Sequence, residues 1–187
     1  MFKDKTILLG VTGGIAAYKA ASLCSQMVQR GANVHVVMTK NAQRFINPIT
    51  FQALSQHEVM CDTFQEEDPA YISHIHYADK ADLIVVAPAT AQTIAKVSQG
   101  IADNMLTNVL LATSDLNKIL LCPAMNVNML HNPFTKENFE RIERVGISIL
   151  KPAEGHLACG YEAEGKLPDT RTIVSACEQI LSNRVGK

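Results

Sequence analysis

The chain has 187 residues, 47% of them hydrophobic, and a formal net charge of −1 at pH 7. This length suits one core, so we expect residues 1–187 to form a single domain. The lysines and arginines are scattered and form no basic stripe, which argues against nucleic acid or a membrane surface as a partner.

Apolar runs alternate with segments of helical spacing along the whole chain. We expect strands at 5–12, 33–39, 81–89, 118–124 and 147–152, with 147–152 as the last strand of the chain. We expect helices at 15–31, 48–55, 90–98, 103–113, 135–146 and 170–183, with Thr135 as the N-cap of its helix. The stretch 57–71 is predicted to be a surface excursion. Buried strands alternating with helices call for a parallel sheet covered on both faces, so the sequence predicts an α/β fold, a Rossmann-like (flavodoxin-like) three-layer sandwich.

The cysteines argue against cross-links and zinc. They are odd in number and contain no C-x-x-C pair, which fits the reducing cytoplasm, where we expect the protein to reside. Three of the five fall within predicted elements and are expected to be buried small hydrophobes: Cys24, Cys122 and Cys177.

Polar residues cluster where the predicted strands end. In open parallel sheets ligands bind outside the carboxyl ends of the strands, so these clusters are the candidates for a binding site. They are Thr12–Gly14, Thr39–Asn41, Thr90–Thr93 and Ala124–Asn126.

The first of these loops, in "GVTGGIAA", is suited to an anion. Backbone N–H groups of a tight loop and of a helix N-terminus can point at a phosphate. The loop is neither G-x-G-x-x-G nor a Walker loop, and no Asp or Glu follows the second strand. A mononucleotide with a terminal phosphate is therefore favoured over NAD, although a glycine turn without a ligand stays open.

Asn126, in "CPAMNVNML", stands where an apolar strand ends. Asparagine is disfavoured inside strands and helices. It is therefore either an N-cap for a helix that begins near 127 or a group that binds a ligand.

Several segments, in this order, resemble the homo-oligomeric flavin-containing cysteine decarboxylases. Beside the first loop, "APATAQT" (87–93) resembles the family's "PASANT"-type loop, and "PAMNVNML" (123–130) resembles its "P-x-M-N-x-x-M-W"-type loop. "SHIHYADKADL" (73–83) is similar to the stretch around its active-site histidine, and "LACGYEAEG" (157–165) to the cysteine loop of the branch that acts on phosphopantothenoylcysteine. Gln92 departs from the usual Asn, and Leu130 from the usual Trp or Tyr. The cysteine loop also departs at four positions: Tyr161, Ala163, Lys166 and Leu167.

The resemblance implies FMN-dependent decarboxylation of 4′-phosphopantothenoylcysteine to 4′-phosphopantetheine, in coenzyme A biosynthesis, through thioaldehyde and enethiol intermediates. It implies that His74 is a catalytic base, that Cys159 is the proton donor to the enethiol, and that Asn126 binds the substrate. Without the resemblance, the residues favour His74 as a polar residue on a partly buried segment over a catalytic base. His74 and His76 could share a face as metal ligands, but no third ligand is evident, so no metal site is predicted.

By the same resemblance, FMN contacts four groups of residues: Gly13, Gly14 and Ile15; Thr39, Lys40 and Asn41; Thr90, Ala91, Gln92 and Thr93; and Ala124. The family assembles as a homotrimer or a multiple of trimers with the flavin at a subunit boundary, and the segment 100–112 is a plausible contact element. Alternative interpretations are a peptidyl-cysteine decarboxylase, a flavin-binding regulatory subunit and a flavin prenyltransferase.

Overall fold

The computed structural model describes residues 2–65, 70–156 and 162–185. Its strands are β1 (Thr6–Val11), β2 (Asn33–Met38), β3 (Val59–Met60), β4 (Leu83–Ala89), β5 (Ile119–Pro123), β6 (Ser148–Ile149), β7 (Ala153–His156) and β8 (Glu162–Lys166). Its α-helices are α1 (Ala17–Gln29), α2 (Pro48–Ser55), α3 (Ser73–Lys80), α4 (Ala91–Gln99), α5 (Met105–Ala112), α6 (Val127–Leu130), α7 (Pro133–Arg144) and α8 (Thr170–Val185).

Six strands form one parallel sheet in the order β3-β2-β1-β4-β5-β6. The order reverses between β1 and β4, where Leu8 of β1 lies between His35 of β2 and Ile84 of β4. At such a reversal the connections leave to opposite sides and open a crevice at the carboxyl ends of the strands. β7 and β8 form a separate antiparallel pair.

Both faces of the sheet are buried under helices, because successive side chains of each strand point to opposite faces. On one face, Ile7, Leu9 and Val11 of β1 belong to a core that includes side chains of α1, α2 and α8. On the other face, Leu8 of β1 packs in a core with side chains of α3, α4, α5 and α7. The predicted parallel sheet with helices on both faces is confirmed.

Three predictions about local structure are corrected. The strand predicted at 147–152 is not the last one, since β7 and β8 follow it, and the surface excursion predicted at 57–71 contains β3. Thr135 does not cap α7: the side chain of Asn132 accepts the N–H of Phe134, and Pro133 occupies the first turn. Asparagine followed by proline is the stronger start signal, because proline is pre-organised for the first helical position.

The described cysteines fit the predicted pattern. Cys24, Cys122 and Cys177 are buried, and burial raises the pKa of the Cys24 thiol to about 11 and of the Cys177 thiol to about 12. These thiols therefore stay protonated and pack as apolar groups. No helix among the described residues combines the length and apolar character needed to cross a bilayer.

Candidate active site

A cavity of about 610 Å³ opens at the carboxyl edge of the sheet, where the strand order reverses. Its walls come from the loops after β1, β4 and β5, from the first turns of α1 and from the end of β8. A smaller recess of about 170 Å³ shares Gly13, Thr90 and Gln92 with it and extends to the loop after β2. The cavity and the recess together form one cleft across the edge of the sheet.

Thr12 joins the loop after β1, which we call the first wall, to the loop after β4, the second wall. Its buried hydroxyl donates to the carbonyl of Pro88 at 2.7 Å and accepts the N–H of Thr90 at 3.0 Å. The N–H of Ala124 donates to the carbonyl of Ala89 at 3.1 Å. This bond holds the loop after β5, the third wall, against the end of β4. The loops that line the cavity are therefore held together by hydrogen bonds at their bases.

The two glycines of the first loop have different structural roles: Gly13 allows two loops to approach closely, and Gly14 leaves space in the cavity. A Cβ on Gly13 would lie 2.4 Å from the Cβ of Asn41, so only glycine lets the loops after β1 and β2 approach this closely. A Cβ on Gly14 would meet only Thr90 Cγ2, at 3.7 Å, and would occupy open space in the cavity. α1, which follows this loop, begins without a side-chain cap.

The second wall is built by the start of α4. The Thr90 hydroxyl accepts the N–H of Thr93 at 3.4 Å and so caps the helix. Further along α4, the Lys96 ammonium binds both carboxylate oxygens of Asp103, at 2.9 and 2.6 Å. That hydrogen bond is the main reason that the pKa of Asp103 is lowered. The recess is therefore lined by hydroxyl groups and by a salt bridge whose charges are already paired.

The third wall carries Asn126. Its side-chain oxygen accepts the N–H of Asn128 at 2.8 Å and caps α6, and the residue also lines the cavity. The preceding N–H, from Met125, donates to the carbonyl of Gly165 at 3.0 Å and brings β8 against this loop. A Cβ on Gly165 would lie 2.2 Å from the Met125 carbonyl oxygen, so this contact requires glycine.

Most of the residues predicted for the site come together. Each of the following lines the cavity, the recess or both: Gly13, Gly14, Ile15, Thr39, Lys40, Asn41, Thr90, Ala91, Gln92, Thr93, Ala124 and Asn126. Leu130 is buried at 6% exposure, and the neighbouring Met129 lines the cavity instead. Cys159 lies outside the described residues.

His74 is placed differently. It is the second residue of α3 and is not among the residues that line the cavity or the recess. Its Nδ1 is buried and has no hydrogen-bond partner in the described part of the chain. Among those same residues, no group of three or more His, Cys, Asp or Glu side chains is arranged to hold a metal ion.

Four charged residues of the cleft were not predicted as site residues: Lys19, Lys96, Asp103 and Lys166. Lys19 follows Ile15 by one helical turn, so helical spacing from the first loop could have indicated it. Lys166 ends β8, a strand that the sequence pattern did not predict. Lys96 and Asp103, seven residues apart, meet only through the turn between α4 and α5.

A doubly wound sheet with a cavity at its strand-order reversal is the arrangement in which open α/β proteins bind their ligands. A sequence model of the Flavoprotein family matches residues 1–182, and the chain belongs to that family.

Two curated relatives are similar over nearly the whole chain. It is 51% identical to the coenzyme A biosynthesis bifunctional protein CoaBC of Bacillus subtilis (strain 168), in an alignment that covers 96% of this chain and 44% of that protein. It is 42% identical to a probable phosphopantothenoylcysteine decarboxylase of Streptococcus mutans serotype c, covering 95% of this chain and 99% of that protein. The chain thus spans less than half the length of the bifunctional relative.

Solved structures have the same fold. A PPC decarboxylase, a cysteine-to-serine mutant complexed with pantothenoylaminoethenethiol, superposes with a TM-score of 0.83 at 28% identity, covering 96% of this chain and 100% of that one. The FMN binding protein AtHal3 superposes with a TM-score of 0.80 at 29% identity, covering 97% of this chain and 98% of that one.

Proposed function

We propose that the protein decarboxylates 4′-phosphopantothenoylcysteine to 4′-phosphopantetheine, with FMN as cofactor, as a cytoplasmic step of coenzyme A biosynthesis. The observation that carries the proposal is the single cleft in which all the residues expected to bind flavin meet Asn126. The names of the relatives described above support the same reaction.

The cleft suits FMN in shape and in the chemistry of its donors. Gly14 leaves open the space that a side chain would fill. α1 starts beside it without a side-chain cap, with the N–H groups of Ala17 and Lys19 bonded to backbone carbonyls at 2.9 and 3.0 Å, and a helix start of this kind favours an anion. Residues 13–15, 39–41 and 90–93, with Ala124, would hold the cofactor. Bound there, FMN supplies an electron acceptor and donor, which no protein side chain can provide.

Asn126 is proposed to bind the carboxylate end of the substrate. Its oxygen caps α6, and a side-chain amide also has N–H donors of the kind that an anionic oxygen accepts. The cap also fixes the side chain, and a positioned donor costs less entropy when the substrate binds. Met125 and Met129 give the adjacent wall an apolar surface that suits the uncharged part of the substrate.

His74 is proposed to act as the base in the site of a second copy. It does not line the cavity of its own chain, and two exposed apolar residues flank it, Ile72 at 52% and Ile75 at 46% exposure. Exposed apolar groups of this size are suited to burial against another subunit. A homotrimer, or a multiple of trimers, with the flavin at the subunit boundary would bring His74 to a neighbouring cleft. In the predicted contact segment 100–112, Met105, Leu106, Val109 and Leu110 pack in the core, whereas Ile101 and Leu111 are exposed.

The Cys159→Ser variant tests the proposed order of steps. A serine hydroxyl is a far weaker acid than a thiol, so proton delivery to the enethiol should fail while carbon dioxide is still lost. Mass spectrometry should then show a product two hydrogens lighter than 4′-phosphopantetheine. The saturated product from this variant, at the wild-type rate, would remove Cys159 from the mechanism.

A further inference from the structure

Two lysines line the larger cavity and have no role in the chemistry described above. Lys19 lies on α1, one turn after Ile15, and Lys166 is the last residue of β8. The Lys19 ammonium donates to the carbonyl of Leu167 at 3.4 Å, so the side chain reaches from the helix to the segment that follows β8. The two cationic groups therefore stand on neighbouring walls of one cavity.

Their charges are only partly balanced. Burial, and then the charge of Lys166, lower the pKa of Lys19, while Asp169 acts in the opposite direction. Asp169 is itself occupied, since its oxygen accepts the N–H of Thr172 at the start of α8 at 2.8 Å. Neither lysine forms a salt bridge with a carboxylate whose side chain the structure describes. Two like charges brought together with one nearby carboxylate leave a net positive site, which an anion stabilises.

The other basic residues of the cleft lie at its opposite, polar end. There Lys96 is paired with Asp103, and Thr39 and Thr93 add hydroxyl groups to the recess. The proposed cofactor and the proposed substrate each carry one phosphate. The recess contributes Lys40 besides the paired Lys96, and the larger cavity contributes Lys19 and Lys166. Asn126 and the two lysines line the same cavity, in which β8 is joined to the Asn126 loop by the hydrogen bond from the Met125 N–H to the Gly165 carbonyl.

We propose that Lys19 and Lys166 form the subsite that binds the phosphate of the substrate and so select the phosphorylated compound over its unphosphorylated form. This inference rests on the proposed function, in which Asn126 takes the opposite, carboxylate end. The exposed Tyr18 and Met129 line the cavity with these lysines and suit the apolar parts of the arm between the two anionic groups.

The test compares two substrates, 4′-phosphopantothenoylcysteine and pantothenoylcysteine, for wild type, Lys19→Met, Lys166→Met and the double variant. Methionine keeps an apolar stem and removes the charge. Losing one charge-assisted hydrogen bond should lower kcat/KM for the phosphorylated substrate about 10-fold per lysine. The kcat/KM for the unphosphorylated substrate should stay within about twofold of wild type, because that compound has no phosphate to interact with the lysines. Arginine at either position should restore part of the preference.

The matched control is Lys3→Met. Lys3 is exposed and precedes β1, at the edge of the sheet opposite the cavity, so its loss should leave both values unchanged. Flavin absorbance and far-UV circular dichroism of each variant check that it folds and retains the cofactor. An unchanged ratio of the two kcat/KM values in the double variant would overturn the lysine subsite while leaving the decarboxylase intact.

A binding measurement separates this inference from the proposed reaction. Isothermal titration of the flavin-loaded protein with 4′-phosphopantothenate and with pantothenate requires no turnover. Wild type should prefer the phosphorylated ligand by at least about 10-fold, and the double variant should lose that preference. Equal binding of both ligands by wild type overturns the subsite. If neither cysteine compound is decarboxylated but the preference holds, the subsite stands and the proposed reaction is wrong.

Discussion

Replacing Thr12 with valine tests whether the loops of the cleft depend on the buried hydroxyl at its base. Valine keeps the shape of the side chain, but the Pro88 carbonyl and the Thr90 N–H each lose a partner. Thr12 is 1% exposed and Pro88 is buried, so water cannot replace the first bond, whereas Thr90 is half-buried. An unpaired buried group costs about 1–3 kcal/mol, and with partial rescue at Thr90 we expect a total of about 2–4 kcal/mol.

Urea denaturation of the flavin-free protein measures this loss of unfolding free energy as a lower midpoint at unchanged slope. The same variant should bind FMN more weakly, because the start of α4 is no longer held against β1. Thr12→Ser is the matched control, since it keeps the hydroxyl and loses one methyl group, at about 1 kcal/mol. A valine variant as stable as wild type, or more stable than the serine variant, would refute the reasoning.

Three further predictions follow from the structure. Gly13→Ala places a Cβ 2.4 Å from that of Asn41 and should lower the unfolding free energy by about 1–3 kcal/mol, whereas Gly14→Ala should not; equal Tm values would contradict this. Burial lowers the pKa of His35 to about 4, below the ordinary value near 6.5, so the unfolded chain binds the proton first. Stability should fall as the pH drops from about 6.5 toward 4, and denaturation midpoints of wild type and His35→Gln should converge in that range. Asn126→Asp keeps a good N-cap, so stability should hold while decarboxylation falls at least about 100-fold by charge repulsion; normal turnover would leave Asn126 as a cap alone.

The ends of the strands were predictable from sequence. An apolar run and the turn residues that follow it are both local signals. The strand predicted at 81–89 is β4 at 83–89, and the helix predicted at 48–55 has those bounds in the structure. An apolar run followed by glycine or hydroxyl residues marks a buried parallel strand and its exit. The order of the strands then brings those exits together, so most of the expected flavin residues lie in one cleft.

The β7–β8 pair was not predictable in the same way. Its strands are short and polar, with glycines at 155 and 165 that weaken any strand pattern. What holds β8 in place is not local, since Gly165 accepts a bond from Met125, 40 positions earlier in the chain. For this reason Lys166 was named only as a departure from the family's cysteine loop and not as a residue of the site.

The position of His74 shows a second limit. Residue type and motif could indicate a catalytic role, but not whether the side chain faces the cleft of its own chain. In the structure it lies in the first turn of α3, between the exposed Ile72 and Ile75. A site that needs a neighbouring copy leaves no signature in one chain's hydrophobic pattern, because interface and core residues have the same chemistry.

The most direct test is a mass spectrum of 4′-phosphopantothenoylcysteine after incubation with the purified, flavin-loaded protein and no added reductant. The account predicts a saturated product lighter by one carbon dioxide, because the electrons taken up in the reaction are returned to the same molecule. An unchanged substrate, with FMN bound and the chain folded, would contradict the proposed decarboxylation.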